Sequence, residues 1–120
     1  MADTSQAEQP RGLSVGSEAA DGVLVVTLTG EIDHHTGGLL AQALEVPDGT
    51  PARIVVDLGR VTFMDSTGVN ILVSAHRTLT GSGGWLRLAA PTPPVLRTIQ
   101  LVGIDTVIDC HPTLGQALAP

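Results

Sequence analysis

Blocks of apolar and polar residues alternate along the chain, and their period changes from block to block. Leu13-Ser14-Val15 reads as a short edge strand, with Asp21-Gly22 as the turn that follows. Val23 to Leu28 is continuously apolar and rich in β-branched residues, which predicts a strand covered on both faces. Thr29 to His35 reads as a loop. Thr36 then serves as N-cap for a helix with Leu39, Leu40, Ala43 and Leu44 on one face, stopped at Pro47-Asp48-Gly49.

Arg53 to Leu58 is the next strand, and Gly59 to Asp65 the next loop. The helix from Ser66 to Leu79 carries Val69, Leu72, Val73, His76 and Leu79 at the spacing of a buried stripe. Gly81-Ser82-Gly83-Gly84 turns the chain into a strand over Trp85 to Ala89. Thr92-Pro93-Pro94 opens a helix with Val95, Leu96, Ile99 and Val102 on its apolar face, and Gly103 ends it. Thr106 to Asp109 forms a short last strand. Pro112 opens a closing helix with Leu114, Ala117 and Leu118 turned inward.

The order ββαβαβαβα predicts one α/β domain over residues 13–120. Its sheet is mixed and mostly parallel, with four to five strands and about four helices. Val25, Leu28, Val56, Leu58, Leu72, Val73 and Ile99 are expected inside. Met1 to Gly12 shows no apolar period and is expected to be a disordered tail. Parallel strands carry their functional loops at one sheet edge. Gly30–His35, Gly59–Asp65 and Ala90–Thr92 should therefore meet there.

Charge narrows the partners. Six basic against twelve acidic residues in 120 give a net charge of −6, the wrong sign for a phosphate-backbone binder. Phe63 and Trp85 are the only aromatics, too few for a base-stacking platform. Nucleic acid is not an expected partner. The single cysteine, Cys110, forms no internal disulfide and reads as a small core residue. Neither a signal-peptide h-region nor a membrane-length apolar run is visible, so a cytoplasmic protein without a membrane role is expected.

The richest segment is Phe63-Met64-Asp65-Ser66-Thr67-Gly68, between a strand and a helix. It sets a serine hydroxyl at or near a helix N-terminus, where unpaired N–H groups and the helix dipole favour negative charge. Phosphate oxygens can accept those N–H bonds, so Ser66 is suited to carry a phosphate. A plain N-cap explains Ser66 equally by residue type. Three consecutive capping-type residues exceed what one helix start needs, and Phe63-Met64 would pin the turn on the core.

Catalytic and metal readings are weaker. No glycines flank Ser66 in a nucleophile elbow, and no histidine is placed as its base. Glu31, Asp33, His34 and His35 lack metal-ligand spacing. His76 reads as a satisfied, partly buried histidine, and His111 needs no special role. Ser66, Asn70, Ser74 and Arg77 share a polar helix face. It is either an ordinary solvated face or a docking surface headed by Ser66, and its start at that serine favours docking.

With these residues in view, the chain resembles the STAS-domain family of anti-sigma factor antagonists. The likeness rests on Leu28-Thr29-Gly30-Glu31-Ile32-Asp33, on Ile54-Val55-Val56-Asp57-Leu58, and on Phe63-Met64-Asp65-Ser66-Thr67-Gly68-Val69. Leu101-Val102-Gly103-Ile104-Asp105 and Gln116-Ala117-Leu118 add to it. The resemblance implies a STAS-like domain that is not an enzyme. It binds an anti-sigma factor that is also a serine kinase with a GHKL-type ATP site, and so frees a sigma factor. Phosphorylation by that kinase falls on Ser66, Thr67 being the weaker alternative to it, and a PP2C-type phosphatase resets it. Asp33 matches the loop acid and Asp65 the motif aspartate. No cofactor belongs to the chain itself, since ATP sits on the partner. Partner contacts are expected at Asp33, Asp65, Ser66, Thr67, Asn70, Ser74 and Arg77. Asn70, where many relatives have glycine, and the weakly charged His34-His35-Thr36-Gly37-Gly38 depart from the family pattern. The alternative is a constitutive scaffold subunit of a stressosome-like or transporter-associated complex, without a phospho-switch.

Overall fold

The computed structural model describes residues 12–47 and 49–119, so the tail expected over Met1–Gly12 lies outside the described residues except for Gly12, whose carbonyl accepts from Glu31 N–H at 3.2 Å. Among the described residues, five strands form one sheet in sequential order: β1 Leu13–Ala20, β2 Val23–Ile32, β3 Arg53–Met64, β4 Trp85–Ala89 and β5 Asp109–His111. Between them come α1 Gly37–Ala43, α2 Ser66–Gly81 and α3 Pro93–Val102, and α4 Leu114–Leu118 closes the chain. The α/β class expected from the pattern is therefore the observed one.

β1 and β2 form an antiparallel hairpin, while β2, β3, β4 and β5 run parallel. The hairpin turn is Asp21-Gly22, both residues at positive φ (53° and 82°). That conformation matches the twist of a two-residue hairpin, and Asp-Gly adopts it at little cost. Once the turn is set, pairing carries β1 on to Ala20, well beyond the short strand expected at Leu13–Val15.

Right-handed crossovers stepping the same way across the sheet put α1, α2 and α3 on one face. Leu40, Val69, Leu72, Leu79, Val95 and Ile99 accordingly join one core with Val26, Leu28, Val56 and Leu58. Among the described residues the opposite face is covered by α4 alone, whose Ala117, Leu114 and Leu118 pack on Val23, Val55, Ala89 and Trp85. β2 is thus not covered on both faces along its length. Thr27 is half-buried and Thr29 exposed, because the five-residue α4 contacts β3, β4 and β5 but leaves the upper sheet open.

Several expected boundaries move. β2 and β3 continue through the stretches expected as loops, to Ile32 and Met64, because each pairs with the other there. Two irregularities, between Thr27 and Thr29 and between Gly30 and Glu31, reset which face each residue meets. Of the apolar face expected for α1, Leu40 and the C-cap residue Leu44 are buried and Ala43 half-buried, while Leu39 is 46% exposed. Val73 and His76 are half-buried, and Nδ1 of His76 has no hydrogen-bond partner among the described residues, so this histidine is not satisfied as expected. Nε2 of His111 is in the same condition.

In α3, Val95 and Ile99 are buried and Leu96 half-buried, while Val102 is exposed. Gly103 ends the helix in the left-handed conformation. A 3-10 turn at Ile104–Thr106 replaces the start of the expected last strand, which instead runs from Asp109 to His111. Thr113, whose hydroxyl accepts from the Gln116 amide, caps α4, so that helix opens after Pro112 and not at it.

Candidate functional site

β2 and β3 end side by side, with Ile32 paired to Met64, and the two following turns are tied by Asp65 N–H donating to Ile32 C=O at 3.1 Å. The loop acid and the serine motif thereby share one sheet edge. The Ala90–Thr92 turn joins them: the Thr92 hydroxyl donates to the Val61 carbonyl at 2.7 Å.

Asp65, not Ser66, is the N-cap of α2. Its backbone is extended (φ −104°, ψ −168°) and its Oδ1 accepts from Thr67 N–H at 2.8 Å. Ser66 becomes the first helical residue and is exposed. The first-turn amides of Ser66 and Gly68 receive no partner from the helix itself. An exposed hydroxyl therefore stands beside donors and the positive helix end, where added anionic oxygens are favoured.

Gly68 explains how the helix comes so close to the strand ends. A Cβ at this position would lie 2.6 Å from Met64 Cγ and 2.8 Å from Ile32 Cγ2, both buried side chains. Gly37 plays the same part between helices. A Cβ there would lie 2.8 Å from Thr67 Cγ2 and 3.1 Å from Ile71 Cδ1. Thr67 is thus committed twice, its amide to Asp65 and its methyl against α1, whereas the Ser66 side chain is exposed.

Asp33 is a fastener of the edge. Its Oδ1 accepts from His35 N–H at 2.9 Å and Thr36 N–H at 3.1 Å. Thr36, expected to cap α1, makes no side-chain cap bond. Its buried hydroxyl points back, donating to Glu31 C=O at 2.8 Å and accepting from Asp33 N–H at 2.9 Å. Burial alone would raise the Asp33 pKa. The amides of Thr36 and His35, the Thr36 hydroxyl and the nearby His35 outweigh it, so the carboxyl sits below its ordinary value. Elsewhere, burial first and the charge of Asp105 second push the Cys110 thiol up, which keeps it protonated near neutrality.

Ser66, Asn70, Ser74 and Arg77 are all exposed, so the polar face of α2 exists as a surface. At about 1.5 Å per residue it runs roughly 16 Å from Ser66 to Arg77. Asn70 and Ser74 also border a groove of about 430 Å³ between α1 and α2.

Phe63 was expected to pin the motif to the core, yet it is 46% exposed while Met64 is buried. The register shifts in β2–β3 turn it away from the helices. Together with Leu39 it adds exposed apolar surface that residue-by-residue reading does not locate. The glycine pair Gly37-Gly38 was the one available signal for the tight α1–α2 contact.

Comparison with known proteins agrees with this geometry. The STAS domain family model matches residues 15–117. The chain is 32% identical over 110 residues to "Anti-sigma-F factor antagonist RsfB" of Mycobacterium tuberculosis, covering 91% of this chain and 89% of that protein. The crystal structure of an anti-sigma factor antagonist from Mycobacterium paratuberculosis superposes with a TM-score of 0.80 at 37% identity, over 88% of this chain and 91% of that one. The Bacillus cell fate determinant SpoIIAA in its phosphorylated form superposes at 0.67 with 25% identity, over 88% and 96% of the two chains.

Proposed function

The chain belongs to the STAS-domain family of anti-sigma factor antagonists, and from that premise we propose that it is a non-catalytic antagonist whose hold on an anti-sigma factor is switched by phosphorylation of Ser66. The carrying observation is the exposed Ser66 hydroxyl at the first position of a 16-residue helix whose cap, Asp65, occupies Thr67. Unphosphorylated, the chain presents the face from Ser66 through Asn70 and Ser74 to Arg77 to an anti-sigma factor. That partner is a serine kinase with a GHKL-type ATP site, and its capture frees a sigma factor.

In the transfer step, Ser66 Oγ attacks the γ-phosphorus of the kinase's ATP. The Oγ–P bond forms, the bond to the β-phosphate oxygen breaks, ADP leaves, and the hydroxyl proton passes to a base on the kinase. A PP2C-type phosphatase hydrolyses the ester and restores the hydroxyl. Asp33 shapes the edge through its amide bonds, and Asp65 is the acid next to the modified residue.

The phosphate adds about 1.5 to 2 negative charges. In the free chain the helix N-terminus offsets part of this, by up to about 2 kcal/mol. In a docked interface, one carboxylate about 6 Å away at an effective dielectric near 20 repels each added charge by roughly 3 kcal/mol. That corresponds to about a hundredfold loss of affinity.

The test is intact-mass analysis after incubation with the kinase and ATP, together with binding measurements on variants. Ser66→Ala should bind without release, and Ser66→Asp should bind about a hundredfold more weakly. Asn70→Ala and Arg77→Ala should weaken binding at an unchanged melting temperature. Labelling at Thr67, or Ser66→Asp binding as tightly as wild type, refutes the switch. The latter result is what a permanent scaffold subunit predicts.

A further inference from the structure

We propose that the groove between α1 and α2 is the apolar half of the docking surface and receives one amphipathic helix of the anti-sigma factor; this rests on the antagonist reading above. The groove has a structural origin in three small residues. At its top, Gly37 lets α1 lie directly against Thr67 and Ile71 of α2. Further along, Ala41 and Ala75 line the groove, and their short side chains leave about 430 Å³ open between the helices. Native interiors leave few voids larger than a water molecule. Leu44 and Val46 on the α1 side and Ile71 on the other form apolar walls that nothing in the chain's described residues fills.

Three observations identify the occupant. The groove is continuous with the surface headed by Ser66, because Asn70 and Ser74 belong to both. Along α2 it extends from Asn70 to Thr78, about 12 Å or two helical turns, which is the reach of anchors at i, i+4 and i+7 on a partner helix. Among the described residues that line it, Glu45 on the α1 side is the one charged side chain, and it is exposed. A complementary helix therefore bears an aliphatic stripe with a basic residue on the flank that meets Glu45. One carboxylate without a converging second charge does not orient a small polar ligand. Ser66 lies one turn above Asn70, so its phosphate stands at the mouth of the groove, where it meets the end of the docked helix.

The test uses the full chain and the GHKL-type anti-sigma factor kinases encoded in the same genome, each purified and titrated calorimetrically. Ala41→Phe and Ala75→Phe fill the groove. Both should keep or raise the melting temperature and weaken binding at least tenfold. A second measurement needs no variant: in the methyl-labelled wild type, Ile71, Leu44 and Val46 should shift on adding the kinase. The proposal is overturned if both filling variants bind within twofold of wild type while Ser66→Asp still loses binding. It is equally overturned if the Asn70 amide shifts and those methyls do not. A co-purifying apolar small molecule found in the groove by native mass spectrometry, and retained when the kinase binds, overturns it as well. If none of the kinases binds the wild-type chain, the antagonist reading itself fails, and the two failures are thereby distinguished.

Discussion

Replacing Gly68 by alanine tests whether close approach of α2 to the strand ends places the switch serine. In an ordinary helix the change would help, because alanine is favoured over glycine by up to about 1 kcal/mol. Here the new Cβ would meet Met64 Cγ at 2.6 Å, Ile32 Cγ2 at 2.8 Å and Met64 Sδ at 3.0 Å. Comfortable carbon contacts lie near 3.5–4.0 Å, so something must move by about an ångström. Ile32 is fully buried and Met64 2% exposed, which leaves little room to yield. Overpacking of this kind costs about 1–3 kcal/mol. After the propensity gain, a net loss of about 1–2 kcal/mol remains.

For a domain of this size that loss lowers the melting temperature by roughly 5–10 °C. Gly81→Ala, in the same helix with nothing within 4 Å of the added methyl, should leave stability unchanged or raise it slightly. Thermal melts followed by circular dichroism compare the two directly. Ser66 sits in the turn that Gly68 seats, so kinase labelling of Gly68→Ala should fall by at least tenfold in kcat/KM relative to Gly81→Ala. Gly68→Ala melting at or above wild type would refute the packing argument.

Two further outcomes follow from side chains that hold the fold together. Asp33 titrates below its ordinary carboxylate value in the folded state. Its contribution to stability is therefore complete above the unfolded value near 4 and is lost as pH falls through the lower folded value. Asp33→Asn should remove that acid-limb dependence in denaturant melts, and an unchanged acid limb would contradict the assignment. Arg87 donates from one guanidinium nitrogen to the carbonyls of Ala117 and Ala119, both at 3.0 Å, and stacks 3.8 Å above the Trp85 ring. Arg87→Ala should cost about 1.5–3 kcal/mol and speed amide exchange across α4 first; uniform exchange along the chain would refute a local clasp.

Much of the fold is legible locally. Asp21-Gly22 dictates its hairpin turn, the β-branched runs give β2 and β3, and Thr92-Pro93-Pro94 starts α3 where chain chemistry requires. The serine at the start of α2, and the polar face below it, follow from helical period alone. These are decided by residues within a turn or two of one another, so the sequence by itself carries them.

Contacts between distant segments decided the rest. β2 and β3 extend to Ile32 and Met64 only because each supplies the other's hydrogen bonds, and the irregularities between them turn Phe63 outward. Which residue caps α2 depended on Asp65 being held by Ile32, and Thr36, at the N-cap position of α1, makes no side-chain cap bond because its hydroxyl is held across the loop by Glu31 and Asp33. The roles of Gly37 and Gly68 appear only when α2 lies against α1 and the strand ends, because a missing Cβ has meaning only beside the atoms that would collide with it. Periodicity tells which side of an element is apolar; which part of that side is covered is settled by how far the neighbouring element reaches. On one face α4 stops short of the upper sheet and leaves Thr29 exposed; on the other α1 stands apart from α2 below Gly37, leaving open the groove in which the proposed partner docks.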